Sequence, residues 1–134
     1  VGTGTFAVTN TVVPAGFTIT VNGGTFQLGN GGAGGALTSP STLVNNATYA
    51  WNRSDNREQG ATSVITGTGV FLKRGSGTYT LSGTNGYSGG TRIEEGTLRV
   101  NNLSAIGATT GSLTIHGGAL DLANFSIAVG NLTG

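Results

Sequence analysis

The sequence predicts an all-β protein built as a parallel β-helix, a solenoid of about six rungs, and three observations carry that prediction. Short stretches of strict apolar/polar alternation, each 4–6 residues long, recur between glycine and asparagine clusters; this is the pattern of half-buried strands joined by tight turns. The same phrase returns in the same internal order at steps of about 20 to 27 residues, the range in which self-similarity signals a solenoid. Only 8% of the 134 residues are charged while 26 are glycine, so solubility rests on threonine, serine and asparagine, which suit strand surfaces and turns.

The elements follow in order. Thr5–Val8 opens the pattern, with Phe6 and Val8 on one face. Pro14-Ala15-Gly16 is a turn, because proline fixes φ and cannot feed a strand ladder. Phe17–Val21 alternates, turns at Asn22-Gly23 where positive φ is expected, and continues as Thr25–Leu28. Gly29 to Gly35 is the most flexible piece, and Ser39-Pro40-Ser41 is a further break. Asn46–Trp51 is a strand with Tyr49 and Trp51 alternating; the polar run 52–59 after it reads as a solvated loop. Val70–Lys73, Thr78–Leu81 and Thr97–Val100 are three more strands, and Leu103–Gly107 is the one plausible helical turn. Ser112–His116, Ala119–Leu122 and Phe125–Val129 repeat the strand phrase.

Aligning the residue before each strand gives Gly4, Gly24, Ala47, Gly69, Gly96 and Gly118, with the longest step holding an extra strand at Thr78–Leu81. No helical period intervenes, and the phrase does not mirror as hairpins would, so the coils wind in one direction. A rung cannot bury its apolar face alone; stacked neighbours supply the core. Residues 1–134 read as a single segment of a longer repeat array.

The stretch Gly67 to Val100, GTGVFLKRGSGTYTLSGTNGYSGGTRIEEGTLRV, resembles the autotransporter-associated β-strand repeat of type V secretion passengers. The resemblance rests on Gly67, Gly69, Lys73, Gly75, Gly77, Thr78, Leu81, Gly83, Asn85, Tyr87, Gly89, Thr91, Ile93, Gly96, Thr97, Leu98 and Val100. Phe71 and Tyr79 replace aliphatic residues, and Arg74 stands where a small residue is commoner. The resemblance implies a right-handed β-helix, exported and either displayed on the bacterial surface or secreted, with a scaffold rather than an enzymatic role.

Candidate chemistry is sparse. Gly86-Tyr87-Ser88-Gly89-Gly90 satisfies G-x-S-x-G, but a nucleophile elbow needs a following helix and a strand follows here. His116 is the chain's one histidine, cysteine is absent, and five scattered carboxylates make no structural zinc site. Glu94 and Glu95 are adjacent and so point to opposite strand faces, which excludes a cooperating acid pair. Gly29–Gly35 lacks the aspartates of a calcium-binding β-roll and the Lys-Ser/Thr of a phosphate loop. Sequons at Asn46, Asn52, Asn102, Asn124 and Asn131 are expected in so Asn/Ser/Thr-rich a chain.

Arg53, Asp55, Arg57 and Glu58, beside Tyr49 and Trp51, form the one patch of mixed charge and aromatics. They are the candidate surface-contact loop, suited to a host protein or glycan; the competing reading puts Tyr49 and Trp51 in the core and the charges in a solvated loop. A net charge of +1 gives no case for nucleic acid, and no apolar run reaches membrane-helix length. The sequence therefore predicts a non-enzymatic, cofactor-free surface segment supporting adhesion or self-association through solenoid ends or edges. A fibre or sheath subunit is the alternative, and a carbohydrate-active β-helix enzyme is the third.

Overall fold

The computed structural model describes residues 3–134. Each turn of chain contributes up to three short strands. The first turn holds β1 (Thr5–Val8), β2 (Val12–Val13) and β3 (Thr18–Val21); the second holds β4 (Thr25–Leu28), β5 (Ala36–Leu37) and β6 (Thr42–Asn45). The third holds β7 (Thr48–Asn52), β8 (Arg57–Glu58) and β9 (Val64–Thr66). The fourth to sixth turns each add two strands: β10 (Val70–Arg74) and β11 (Thr78–Leu81), β12 (Thr91–Ile93) and β13 (Thr97–Val100), then β14 (Ser112–Ile115) and β15 (Ala119–Asp121). A last strand, β16 (Asn131–Thr133), begins the next turn.

Strands pair only with their counterparts one turn away, and every pairing among the described residues is parallel. The main sheet runs β1-β4-β7-β10-β12-β14-β16; β8-β11-β13-β15, β3-β6-β9 and β2-β5 form the other faces. No helix is present among the described residues; the turns stack as a β-solenoid.

Register corrects the sequence alignment at one place. Phe6, Phe26, Tyr49, Phe71, Thr91, Leu113 and Leu132 stand in one column, so successive turns advance by 20, 23, 22, 20, 22 and 19 residues. Gly96 and Gly118 precede β13 and β15, which lie on the face of β11 and not on that of β1, β4, β7 and β10. The long step was a change of face. The two faces look alike in sequence because most of their strands follow a glycine, in the left-handed region at Gly24, Gly96 and Gly118, and then send alternate apolar residues inward.

The core is made of such columns. Phe6, Phe26, Tyr49 and Phe71 follow one another at centroid distances of 6.1, 6.0 and 5.3 Å. Thr91 is too small to continue the column, and Tyr87 from the third face fills the place, its ring 6.1 Å from Phe71 and its hydroxyl 2.6 Å from Thr91 Oγ1. The next inward column of the same sheet runs Leu28, Trp51, Lys73 and Ile93.

Two further expectations change. Leu103–Gly107 folds as turns without becoming helix, and Ala105 and Ile106 plug the core. Phe125–Val129 keeps alternating burial but forms no ladder strand, because the turn one coil earlier offers no extended backbone to pair with. Gly34 and Gly35, in the stretch read as flexible, sit where an added Cβ would fall 1.6 Å from Thr9 O and 1.7 Å from Val8 O, so only glycine lets that loop pack down.

Candidate binding cleft

The four charged residues of the 53–58 stretch divide between core and surface. Arg53 follows β7 and is 3% exposed, which corrects its expected place in a solvated loop. Its Nε and Nη2 donate to the two carboxylate oxygens of Asp55, each at 2.7 Å. Its Nη1 donates to Gly35 O and its Nη2 also to Ala33 O. The reason lies in the missing ladder: β8 pairs with β11 but not with β5, so no strand N–H reaches the Ala33 and Gly35 carbonyls from below. A planar guanidinium with five N–H groups can serve two carbonyls and a carboxylate at once, and Asp55 balances the buried charge. Hydrogen bonding from Arg53 holds the Asp55 carboxyl below the usual aspartate range, against the upward pull of its partial burial.

Arg57 and Glu58 form β8 and are exposed. Arg57 stands in register with Tyr79, and Tyr79 with Leu98, so Arg57 heads a column that points inward. Glu58 stands in the outward column with Thr80 and accepts a hydrogen bond from Ser82 Oγ. Among the described residues Arg57 takes part in none of the ion pairs, which join Arg53 to Asp55, Arg74 and Arg92 to Glu94, and Arg99 to Asp121.

Where β5 and β8 fail to pair, a lateral cleft of about 280 Å³ opens beneath Arg57. Tyr49, Trp51, Tyr79 and Leu43 form its apolar depth, and Ser41, Ser63 and Gln59 its polar wall. Ser41 and Ser63 hydroxyls lie 3.2 Å apart across the β6–β9 ladder. Gln59 is saturated: it exchanges hydrogen bonds with the Asn85 amide at 2.8 and 3.0 Å and accepts from Gly83 N. Burial raises the Tyr49 phenol well above 10 and that of Tyr79 to about 12, and the two hydroxyls interact, so both are neutral at physiological pH. A larger hollow of about 1000 Å³ over the first turn is lined by backbone, threonine, asparagine and apolar side chains, with no charged side chain among the described residues that line it.

The remaining sequence candidates sit apart. Ser88 is exposed on a segment without helix, its backbone N–H donating to Gly67 O at 3.0 Å. His116 is exposed past the end of β14. Burial pushes the Glu94 carboxyl up, but Arg74 at 3.0 Å and Arg92 at 3.1 Å outweigh it and leave its pKa lowered. No group of three or more His, Cys, Asp or Glu side chains gathers among the described residues.

Lys73, one of the repeat residues and the end of the Val70–Lys73 alternation, has a place in the core that the candidate chemistry did not include. It is fully buried in an otherwise aliphatic and aromatic column, its Nζ donating to Arg74 O at 2.8 Å, Gly75 O at 2.7 Å and Glu95 O at 3.0 Å. The ammonium also lies 4.8 Å from the centre of the Trp51 ring. Burial pushes its pKa down to about 8, with the Glu95 carboxylate opposing. The signal was present: in Val70-Phe71-Leu72-Lys73, period two puts Lys73 on the face of Phe71.

Residues 71–100 match the family described as the passenger-associated-transport-repeat. Over 71 residues, 52% of the chain, the sequence is 44% identical to the adhesin BmaC autotransporter of Brucella suis biovar 1 (strain 1330). The matched region is 2% of that relative's length, so the chain is similar to a small part of a very long protein. No solved structure matches the chain.

Proposed function

Because the chain carries an autotransporter passenger repeat, we propose that it is a segment of an exported bacterial passenger, displayed on or shed from the cell surface, whose solenoid is a non-enzymatic support for adhesion. One observation carries the reading: the repeat's polar and small residues are engaged in holding turns together. Lys73 ties three corner carbonyls, Asn85 links three successive turns through Ile65 N, Gln59 and Ala105 O, and Gly96 makes a left-handed corner. A motif occupied in this way specifies a scaffold, and function falls to what the scaffold presents.

Whole cells test it. Antibody against residues 3–134 should label intact cells producing the full-length protein, and deleting the segment should lower their attachment to a host-cell monolayer. Labelling that requires permeabilised cells overturns surface display; unchanged attachment after deletion overturns the adhesive role. Self-association is the second reading, supported by the outermost strands of the sheets, such as β1 in the main sheet, which leave one edge unpaired among the described residues. Light scattering of the purified chain would show concentration-dependent filaments, and a monomer at all concentrations would sink it.

A further inference from the structure

We propose that the cleft between β5 and β8 is a binding site for a carboxylate-bearing sugar unit, a uronic-acid-like residue of a glycan. The proposal deepens the adhesive reading above by giving the site and the ligand class. Four features point there. The volume, about 280 Å³, lies at the small end of ligand pockets and suits one sugar ring better than a peptide segment. The depth is aromatic: Tyr49, Trp51 and Tyr79 line it as a packed floor, Trp51 stacked on Tyr79 at 4.7 Å, with the two phenols neutral and bonded to each other. The wall offers the Ser41 and Ser63 hydroxyls, groups that can donate and accept as sugar hydroxyls do.

Charge decides the class of sugar. Arg57 points inward by register and, among the described residues, joins no ion pair, while Asp55, whose carboxyl its charge helps to lower, is held in a two-bond pair by Arg53. Glu58, which also lines the cleft, stands in the outward column and accepts a hydrogen bond from Ser82 Oγ. The cleft thus presents one uncommitted guanidinium above an aromatic depth, and a guanidinium binds a carboxylate through two parallel N–H donors. A neutral hexose would leave it unanswered, and a simple carboxylate would leave the hydroxyl wall unanswered.

The test uses the ¹⁵N-labelled chain titrated separately with D-glucuronate, D-glucose and propionate, read by amide, arginine and indole shifts. Trp51 is the chain's single tryptophan, so its indole N–H reports on the cleft without ambiguity. Glucuronate should shift that indole and the amides of 56–59, Ser41 and Ser63, with millimolar affinity; glucose and propionate should each bind about tenfold more weakly. Arg57→Ala should lose about tenfold in glucuronate affinity while its remaining spectrum superimposes on that of the parent. Equal response to all three probes, shifts lying outside the cleft, no shift with glucuronate, or full affinity in Arg57→Ala would each overturn the proposal. None of these results bears on surface display, which the labelling of intact cells reads separately.

Discussion

Replacing Lys73 by methionine tests the account of the core most directly, because Met keeps the stem's length and removes only the charge and its donors. The ammonium gives three hydrogen bonds to the Arg74, Gly75 and Glu95 carbonyls. Bonds to a charged group contribute about 1.5–3 kcal/mol each, and the Trp51 contact adds up to about 2 kcal/mol. Against this stands the cost of burying the charge, about 3 kcal/mol from a pKa lowered from 10.5 to about 8. With the weakest bonds and the full Trp51 contact the lysine stabilises by about 3 kcal/mol, and methionine leaves three corner carbonyls unanswered. For a chain of this size that is a fall of about 12 °C in melting temperature, or about 1.5 M in urea midpoint with an unchanged slope. Urea unfolding at pH 7, followed by circular dichroism and by the adjacent Trp51 fluorescence, measures it. A Lys73→Met chain as stable as the parent would show that desolvation outweighs the three bonds, and would refute the reasoning.

Stability should rise with pH before it falls. Below about pH 8 Lys73 is charged in both folded and unfolded chains and its burial cost is fully present; between about 8 and 10.5 the folded chain releases its proton first, so stability grows. Tyr49, Tyr79 and Tyr87 have phenols raised above 10, so what they contribute is intact below pH 10 and is lost above it. Melting temperature should therefore peak near pH 9–10, and Lys73→Met should abolish the rising limb; a flat profile in the parent contradicts this. Arg53→Met should cost about 2–4 kcal/mol and free residues 31–37 to hydrogen exchange, whereas Arg57→Ala should stay within about 0.5 kcal/mol, and equal effects would deny the division between them. Gly96→Ala forces a side chain at φ +68°, with its Cβ 2.4 Å from Gly75 O, and should destabilise by more than about 2 kcal/mol. Gly86→Ala meets nothing within 4 Å and should be neutral in the same melts.

Much of the fold was legible because a solenoid is written locally. Phe26, Tyr49 and Phe71 recur at the spacing of one turn, and each occupies the same position after its corner, so the column can be read by counting. Counting fails at Gly96 because β12, only Thr91–Ile93, is short and puts threonine where the four turns before it put an aromatic ring, so the Gly-Thr-Leu phrase of β13 stands out in its place. The cleft was half legible. The run from Arg53 to Glu58 stands out as charge in a chain with little, but Arg53 and Arg57 look alike there, and only one is buried.

Alternation, glycine corners and repeat length determine by themselves that this chain is all-β, parallel and wound turn upon turn, since each turn's two-residue period and corner conformations are set by neighbours in sequence. The tertiary structure decided which face each strand joins, that Lys73 answers carbonyls from two successive turns, and that β5 and β8 do not pair. Those depend on the vertical register between turns, which is fixed by how side chains twenty residues apart fill the same interior. Arg53 closes part of the gap that results, and Arg57 stands over what stays open.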